Sequence, residues 1–368
     1  MRLPAYDDLS KEQDAVTTLP LDGRYLIAGA PGTGKTVVAL YRASRMVSRE
    51  KPPVMLTYSR LLTEYVKASG LPANVTASMN TYHSWLYRYF RANYRQPPMK
   101  KPDSTYDHDW QAIFSHMSTR PPQQGKTEYM LIDEGQDLPK ELYLILSTFV
   151  SQHLTVFADE NQRITTDQST MQEICHSADI HPRDIYYLKR NYRNTREIHD
   201  LACHFHRGSP TGLAEAPERP GERPVAVGMS GLKQQVDWIR AWEARNSDQS
   251  IGVLVRKKSM LRTVLSMLAG TTVNDVHAFD RDNGMQPEFD RAGITILCYQ
   301  SSKGLEFDTV FLLQTEDFTH LHLSQDDEMM RLYVLCTRAR EHLFLLYTGQ
   351  SCPLVESIPS ELLERRQV

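Results

Sequence analysis

Eight consecutive residues, Gly29-Ala30-Pro31-Gly32-Thr33-Gly34-Lys35-Thr36, restrict the fold of this 368-residue chain more than any other feature. They match GxxxxGK[ST]; an apolar stretch, Tyr25–Ala28, precedes them and an amphipathic helical pattern, Thr36–Val47, follows. A strand that enters a glycine-rich turn and leaves it as a helix is a building block of a parallel α/β sheet. The glycines let backbone amides converge on phosphate oxygens without Cβ clashes. Lys35 can set its ammonium between two phosphates, the Thr36 hydroxyl can ligate Mg2+, and the helix N-terminus adds partial positive charge. Chance produces such a match in roughly 1% of chains this long, so the motif predicts a nucleotide site.

The rest of the chain fits that frame. Apolar strand patterns at Tyr25–Ala28, Val54–Thr57, Tyr129–Asp133 and Thr155–Ala158 alternate with helical patterns at Thr36–Val47, Arg60–Ala68 and Lys140–Phe149. Prolines 97, 98, 102, 121 and 122 break the alternation, and Gln96–Lys126 reads as a surface insertion. A new strand starts at Ile185–Leu188, a helix at Asn191–His206, and a Pro/Gly-rich linker at Gly208–Pro224. Strands then recur at Val225–Gly228, Gly252–Val255, Ile294–Cys298, Thr309–Leu313 and Leu343–Tyr347, with helices Leu232–Ala244, Ser259–Leu268 and Asp327–Arg340 between them. Two α/β domains are therefore expected: residues 1–184, with a short insertion at about 87–126, and residues 185–368, with the linker at about 208–224.

Composition excludes several alternatives. Apolar residues make up 40% and charged residues 24%, the balance of a soluble globular protein. No run of 18 apolar residues predicts a membrane helix, and Met1–Asp8 lacks a secretory apolar region, so the cytosol is expected. Five cysteines without CxxC spacing argue against a disulfide framework or zinc ribbon. His199, Cys203, His204 and His206 form one local cluster; a helix whose cysteine packs inward explains it more simply than a metal. The net charge of −3 does not decide for or against nucleic acid, because binding depends on where basic groups sit.

Two further strands end in acidic groups. Tyr129-Met130-Leu131-Ile132 runs into Asp133-Glu134, at the sheet edge where α/β proteins hold ligands. Asp133 there can hold Mg2+ and Glu134 can orient and deprotonate an attacking water. Phe157-Ala158 runs into Asp159-Glu160-Asn161-Gln162, which taken alone reads as a polar loop.

These residues fall in a known order: Gln13, the glycine loop, Ile132-Asp133-Glu134-Gly135-Gln136-Asp137, Asp159–Gln162, Asn191-Tyr192-Arg193-Asn194, Ser302-Lys303-Gly304-Leu305-Glu306-Phe307-Asp308, and Tyr333–Arg340. The chain thus resembles the UvrD/PcrA/Rep-type branch of superfamily 1 helicases, from about residue 9 to about residue 347. The resemblance implies two RecA-like domains with parallel sheets, ATP and Mg2+ between them, and 3′→5′ movement on single-stranded DNA; RNA stays open as a track. It assigns Gln13 to the adenine edge, Tyr192 to stacking on adenine, Glu306 to the ribose, Gln162 to a place beside the γ-phosphate, and Arg193 and Arg338 to the γ-phosphate itself. Arginine suits that last role, being always charged and forked for phosphate oxygens. Gln13 has a rival reading: Ser10 and Gln13 have the S-x-x-Q spacing of a capping box, and one amide cannot readily serve both roles.

For the strand itself, the resemblance points to Thr57, Tyr58 and Arg60, to Thr81, Tyr82, His83 and Trp85, and in the second domain to Arg256, Ser301 and Ser302. Hydroxyls can hold phosphates, while Tyr58, Tyr82 and Trp85 offer faces to bases. Arg88, Arg91, Arg95, Lys100 and Lys101 interleave with Tyr87, Tyr89, Phe90 and Tyr94; this fits a strand-tracking groove or an amphipathic helix with its aromatics in the core. The chain departs from the family in three places. The large insertion of the second motor domain is missing, the first-domain insertion is short, and Arg163-Ile164-Thr165-Thr166 lacks the aromatics that usually follow Gln162. An ATP-driven clamp or regulatory subunit of a repair or defence complex, partnered by a nuclease or accessory subunit, is therefore the rival to a lone motor.

Overall fold

A computed structural model of the chain describes residues 4–58, 75, 77–105, 107–123, 126, 128–162, 168–279, 292–318 and 324–368. Contacts divide it into two units: residues 4–30 with 34–188, and Lys189–Val368, with which the loop residues Pro31–Thr33 group. The helix expected at Arg60–Ala68, with Arg60 itself, and Arg163–Thr166 lie outside the described residues.

The first unit is a six-stranded parallel sheet flanked by helices. Its strands are β1 (Arg24–Gly29), β2 (Pro53–Thr57), β3 (Met79–Thr81), β4 (Tyr129–Ile132), β5 (His153–Ala158) and β6 (Ile185–Leu188), in the order β3-β2-β4-β5-β1-β6. Leu26, Ile27 and Ala28 of β1 and Met130, Leu131 and Ile132 of β4 are fully buried, as unbroken apolar runs must be in a sheet covered on both faces. The helices are α1 (Lys11–Thr17), α2 (Lys35–Ser48), α3 (Tyr82–Tyr94), α4 (Trp110–Thr119), α5 (Lys140–Ile145) and α6 (Met171–Ala178).

Two expectations change here. Ile185–Leu188 does not open the second domain; it pairs with β1 and gives that strand's outer backbone groups their partners, so the first sheet runs past residue 184. The segment after α3 is not only a surface excursion, because α4 drives Ile113 and Met117 into the first core.

The second unit has seven parallel strands: β7 (Val225–Met229), β8 (Ser250–Val255), β9 (Val276–Ala278), β10 (Gly293–Cys298), β11 (Phe307–Leu312), β12 (Ala339–Thr348) and β13 (Glu364–Gln367), ordered β13-β7-β12-β11-β8-β10-β9. Its helices are α7 (Arg196–His204), α8 (Leu232–Glu243), α9 (Lys258–Leu268), α10 (Gln325–Cys336) and α11 (Pro353–Glu356). With β9 set aside as an added edge strand, both sheets wind alike: β7, β8, β10, β11, β12 and β13 occupy the places of β1 to β6. Each unit is thus an α/β domain with one parallel sheet.

Helix boundaries moved where side chains bind the backbone. Asn191 Oδ1 accepts from the backbone N–H of Arg193 (2.9 Å) and Asn194 (3.2 Å), so residues 191–194 turn and α7 starts only at Arg196. α10 ends at Cys336, leaving Arg338 outside it, just before β12. Gly208–Pro224 is pinned rather than free: Glu215 N–H donates to the Lys189 carbonyl (2.7 Å), and the Arg219 guanidinium donates to the carbonyls of Arg193 (2.6 Å) and Arg340 (2.7 Å). Among the described residues no helix is long and apolar enough to cross a membrane.

Candidate nucleotide site

In the first unit β1, β5 and β4 are neighbours, and all three end at the same sheet edge. Each delivers one piece of chemistry there. From β1 the chain enters the glycine loop, where Gly32 (φ +84°) and Gly34 (φ +86°) hold the left-handed backbone that favours glycine. Lys35 opens α2. Its ammonium is buried, donates to the carbonyls of Gly29 (2.7 Å) and Ala30 (3.2 Å), and lies 3.6 Å from Asp159 Oδ2.

From β4 come Asp133 and Glu134. The Thr36 hydroxyl donates to Asp133 Oδ2 at 2.7 Å. Both are hard oxygen donors, and adjacent ligands of an octahedral Mg2+ with bonds of about 2.0–2.1 Å stand about 2.9 Å apart. Thr36 and Asp133 therefore fit that ion. Burial and the adjacent Glu134 push the Asp133 carboxyl well above the usual carboxylate range, the condition that a bound cation reverses. Glu134 is buried with φ +52°, and its Oε2 accepts from Gln136 Nε2 at 2.6 Å.

From β5 come Asp159 and Gln162. Gln162 Nε2 donates to Asp159 Oδ2 at 2.9 Å, so one carboxylate lies between Lys35 and Gln162. Burial pushes the Asp159 carboxyl up, although Lys35 and Gln162 act against it. Neither Asp159 nor Gln136 was singled out as a site residue. Asp159 carries the same signal as Asp133, an acid ending a buried strand. Gln136 carries no local signal, because its partner lies 23 residues onward.

Of the two readings of Gln13, the structure forms the capping box: Ser10 N–H donates to Gln13 Oε1 (3.0 Å) and Gln13 N–H to Ser10 Oγ (3.2 Å). The amide's other end faces the loop, since a Cβ on Gly34 would stand 2.5 Å from Gln13 Nε2. Cap and loop contact coexist because they use opposite atoms of one amide.

In the second unit Arg193, Glu306 and Arg338 come together around Thr337. Arg193 Nε pairs with Glu306 Oε2 at 2.7 Å, and Arg193 also reaches the Thr337 carbonyl at 3.5 Å. Burial raises the Glu306 carboxyl, but the charges of Arg193 and Arg340 outweigh it and hold it below its ordinary value. Arg338 is buried; it donates to the carbonyls of Val334 (3.0 Å) and Leu305 (3.2 Å) and to the Thr337 hydroxyl (3.3 Å). Tyr192 is exposed, with the Arg190 guanidinium 5.8 Å from its ring centre.

The strand candidates divide. Tyr58 is exposed and stacks on Tyr82 with ring centres 6.1 Å apart. Tyr82 and Trp85, expected to offer faces to bases, are instead buried in the first core with Leu86 and Phe90, because positions 82, 85, 86 and 90 share the inner face of α3. Thr57 is buried, the Thr81 hydroxyl caps α3 by accepting from Ser84 N–H (3.4 Å), and His83 pairs with His108 at 3.2 Å. Arg256 is tied to Glu328 (2.7 Å) and to the Asp317 carbonyl (2.6 Å). Ser302 is buried on the Tyr299 carbonyl (2.8 Å), and Ser301 is half-buried. His199 hydrogen-bonds the Ala214 carbonyl (3.1 Å), and no group of three or more His, Cys, Asp or Glu is arranged for a metal among the described residues.

Residues 12–168, in the first unit, match a family model described as an AAA domain, and residues 273–350, in the second, match one described as a UvrD-like helicase C-terminal domain. A protein of Acanthamoeba polyphaga mimivirus named "Putative ATP-dependent DNA helicase" is 23% identical over 246 residues, which is 59% of this chain and 34% of that relative; the match spans about a third of the relative's length. The crystal structure of the C-terminal domain of "a possible DNA helicase" from Lactobacillus plantarum WCFS1 overlaps 47% of this chain and 98% of its own, at 21% identity and a TM-score of 0.37. Both domain signatures are present in order, which supports a UvrD-like superfamily 1 helicase.

Proposed function

We propose that the chain hydrolyses ATP and couples each turnover to a step along single-stranded DNA in the 3′→5′ direction. The observation that carries this is the meeting of Lys35, Thr36, Asp133, Glu134, Asp159 and Gln162 at one sheet edge. In this reading Lys35 exchanges the Gly29 and Ala30 carbonyls for phosphate oxygens, and the loop amides hold the rest of the phosphate chain. Mg2+, when bound by Thr36 and Asp133, neutralises phosphate charge. Glu134 takes the proton of the attacking water, and Gln162 reads the γ-phosphate. Gln13 and Tyr192 hold adenine. Arg193 exchanges Glu306 for the γ-phosphate and frees that carboxylate for the ribose; Arg338 joins it by turning out of its carbonyl cage. Arginines supplied in this way make turnover depend on how the two units engage.

A second reading, an ATP-driven clamp or regulatory subunit acting with a nuclease or accessory protein, is favoured by one observation. Residues 269–292, between α9 and β10, are too few for a folded insertion.

The test measures ATPase rate with single-stranded DNA, duplex DNA and RNA, using Lys35→Ala as control, and strand displacement on duplexes with a 3′ or a 5′ tail. Strong stimulation by single strands, loss of turnover in Lys35→Ala and displacement from the 3′ tail are expected. Equal rates with and without any nucleic acid overturn the motor reading, and tight ATP-dependent binding with slow turnover and no displacement selects the clamp.

A further inference from the structure

Gln136 is fully buried, and its amide has only one possible orientation. The backbone N–H of Asp159 can only donate, and it meets Oε1 at 2.9 Å; Nε2 therefore faces Glu134 and donates to Oε2 at 2.6 Å. The Gln136 carbonyl accepts from Ser169 N–H at 3.0 Å, which fixes the residue from behind. One side chain thus spans from the end of β4 to the end of β5. We propose that Gln136 is a positioning residue that aims the Glu134 carboxylate and ties it to the Asp159–Gln162 loop, so that the water-activating group and the γ-phosphate reader shift together. This rests on the ATP-hydrolysis reading.

The second unit supplies an internal control. Gln314, after β11, occupies the place of Glu134 after β4: φ and ψ are 53° and 49° against 52° and 45°, and each residue enters a short 3-10 turn, Thr315–Asp317 or Gly135–Asp137. Two residues onward, Glu316 stands where Gln136 stands. Its carboxyl lies near Thr348, the last residue of β12. A carboxylate there only accepts. The donor toward Glu134 is what the Gln136 amide adds.

That difference designs the experiment. Gln136→Glu keeps the volume and the acceptor for Asp159 N–H but replaces the donor with a like charge against Glu134. A purely structural role predicts wild-type turnover. Positioning predicts a single-strand-stimulated kcat about 10–100-fold lower, a KM for ATP within about threefold of wild type, and an acid limb of the kcat–pH profile moved to higher pH, because two close carboxylates raise one another. Gln136→Met, which lacks both hydrogen bonds but keeps most of the packing, is read the same way if Gln136→Glu fails to fold. Wild-type kcat with an unmoved pH profile in the folded variant overturns the inference alone. A wild-type chain without turnover on any strand overturns the hydrolysis reading and this inference with it.

Discussion

Arg42 gives a sharp test of how the first unit holds its nucleotide loop. It lies about two turns into α2 and is fully buried. Its guanidinium donates to Thr155 Oγ1 (3.1 Å) and to the carbonyls of Leu19 (3.0 Å) and Pro20 (2.7 Å), and sits 5.4 Å from the Tyr25 ring centre. Those carbonyls belong to the chain leaving α1, the helix that carries Gln13. Hydrogen bonds from a charged donor contribute about 1.5–3 kcal/mol each. Against them stands the cost of burying the charge: burial pulls the Arg42 pKa down from its ordinary value to about 10, which corresponds to roughly 3 kcal/mol. Truncation also removes the apolar stem, at about 0.8 kcal/mol per methylene. Arg42→Ala should therefore lose about 3–5 kcal/mol, and Arg42→Met, which refills the stem, about 2 kcal/mol. The folded pKa lies below the unfolded one, so only above about 10, up to the ordinary guanidinium value, does the unfolded chain bind more protons and stability rise with pH. Between pH 6 and 8 Arg42 is charged in both states, and the difference between variant and wild type should be flat. Hydrogen exchange at the amides of α1 measures the opening of this unit itself. The KM for ATP should rise with it, as Gln13 loosens from Gly34. An Arg42→Ala chain within about 0.5 kcal/mol of wild type, or a difference that drifts across pH 6–8, would refute the reasoning.

Glu134→Gln should bind ATP but turn it over about 10²–10⁴-fold more slowly, checked by nucleotide titration beside steady-state ATPase. Tyr58→Ala should weaken single-strand binding by about 1–3 kcal/mol with little change in folding, whereas Trp85→Ala should cost about 3–5 kcal/mol of stability; fluorescence anisotropy and urea unfolding separate the two. Glu328 is buried with Arg256 at 2.7 Å and Arg331 at 3.5 Å, so Glu328→Gln leaves two arginines facing each other and should cost about 3–5 kcal/mol, read by urea unfolding.

What the sequence made legible follows from how few residues can do each job. The glycine loop could be read because its backbone angles at 32 and 34 suit glycine, and the acidic strand ends because an upstream glycine loop gives meaning to a pattern that is common in turns. The aromatics could not be sorted by type. Tyr58 and Trp85 are equally plausible base partners until the helix period of α3 is followed, which turns Trp85 inward with Leu86. β13 escaped because Glu364-Arg365-Arg366-Gln367 has no apolar face; a strand at the edge of a sheet needs backbone pairing on one side only. The start of α7 was misplaced because Asn191 binds its own backbone, a competition that apolar periodicity does not report.

The left-handed backbone at Glu134 invites a reading as strain stored for catalysis, since a non-glycine residue pays about 1–2 kcal/mol there. The recurrence at Gln314 argues otherwise. Gln314 carries no acid and follows Leu313 where Glu134 follows Asp133, yet its backbone differs by only a few degrees. The kink is therefore what this fold requires to leave its fourth strand and enter the turn, and it would exist without any reaction. What separates the two corners is side-chain chemistry on a shared scaffold: Asp133 and Glu134 against Leu313 and Gln314, and the glycine loop after β1 against Ser230-Gly231 after β7. A duplicated backbone with one equipped edge is the reason nucleotide chemistry is proposed for the first unit's sheet edge.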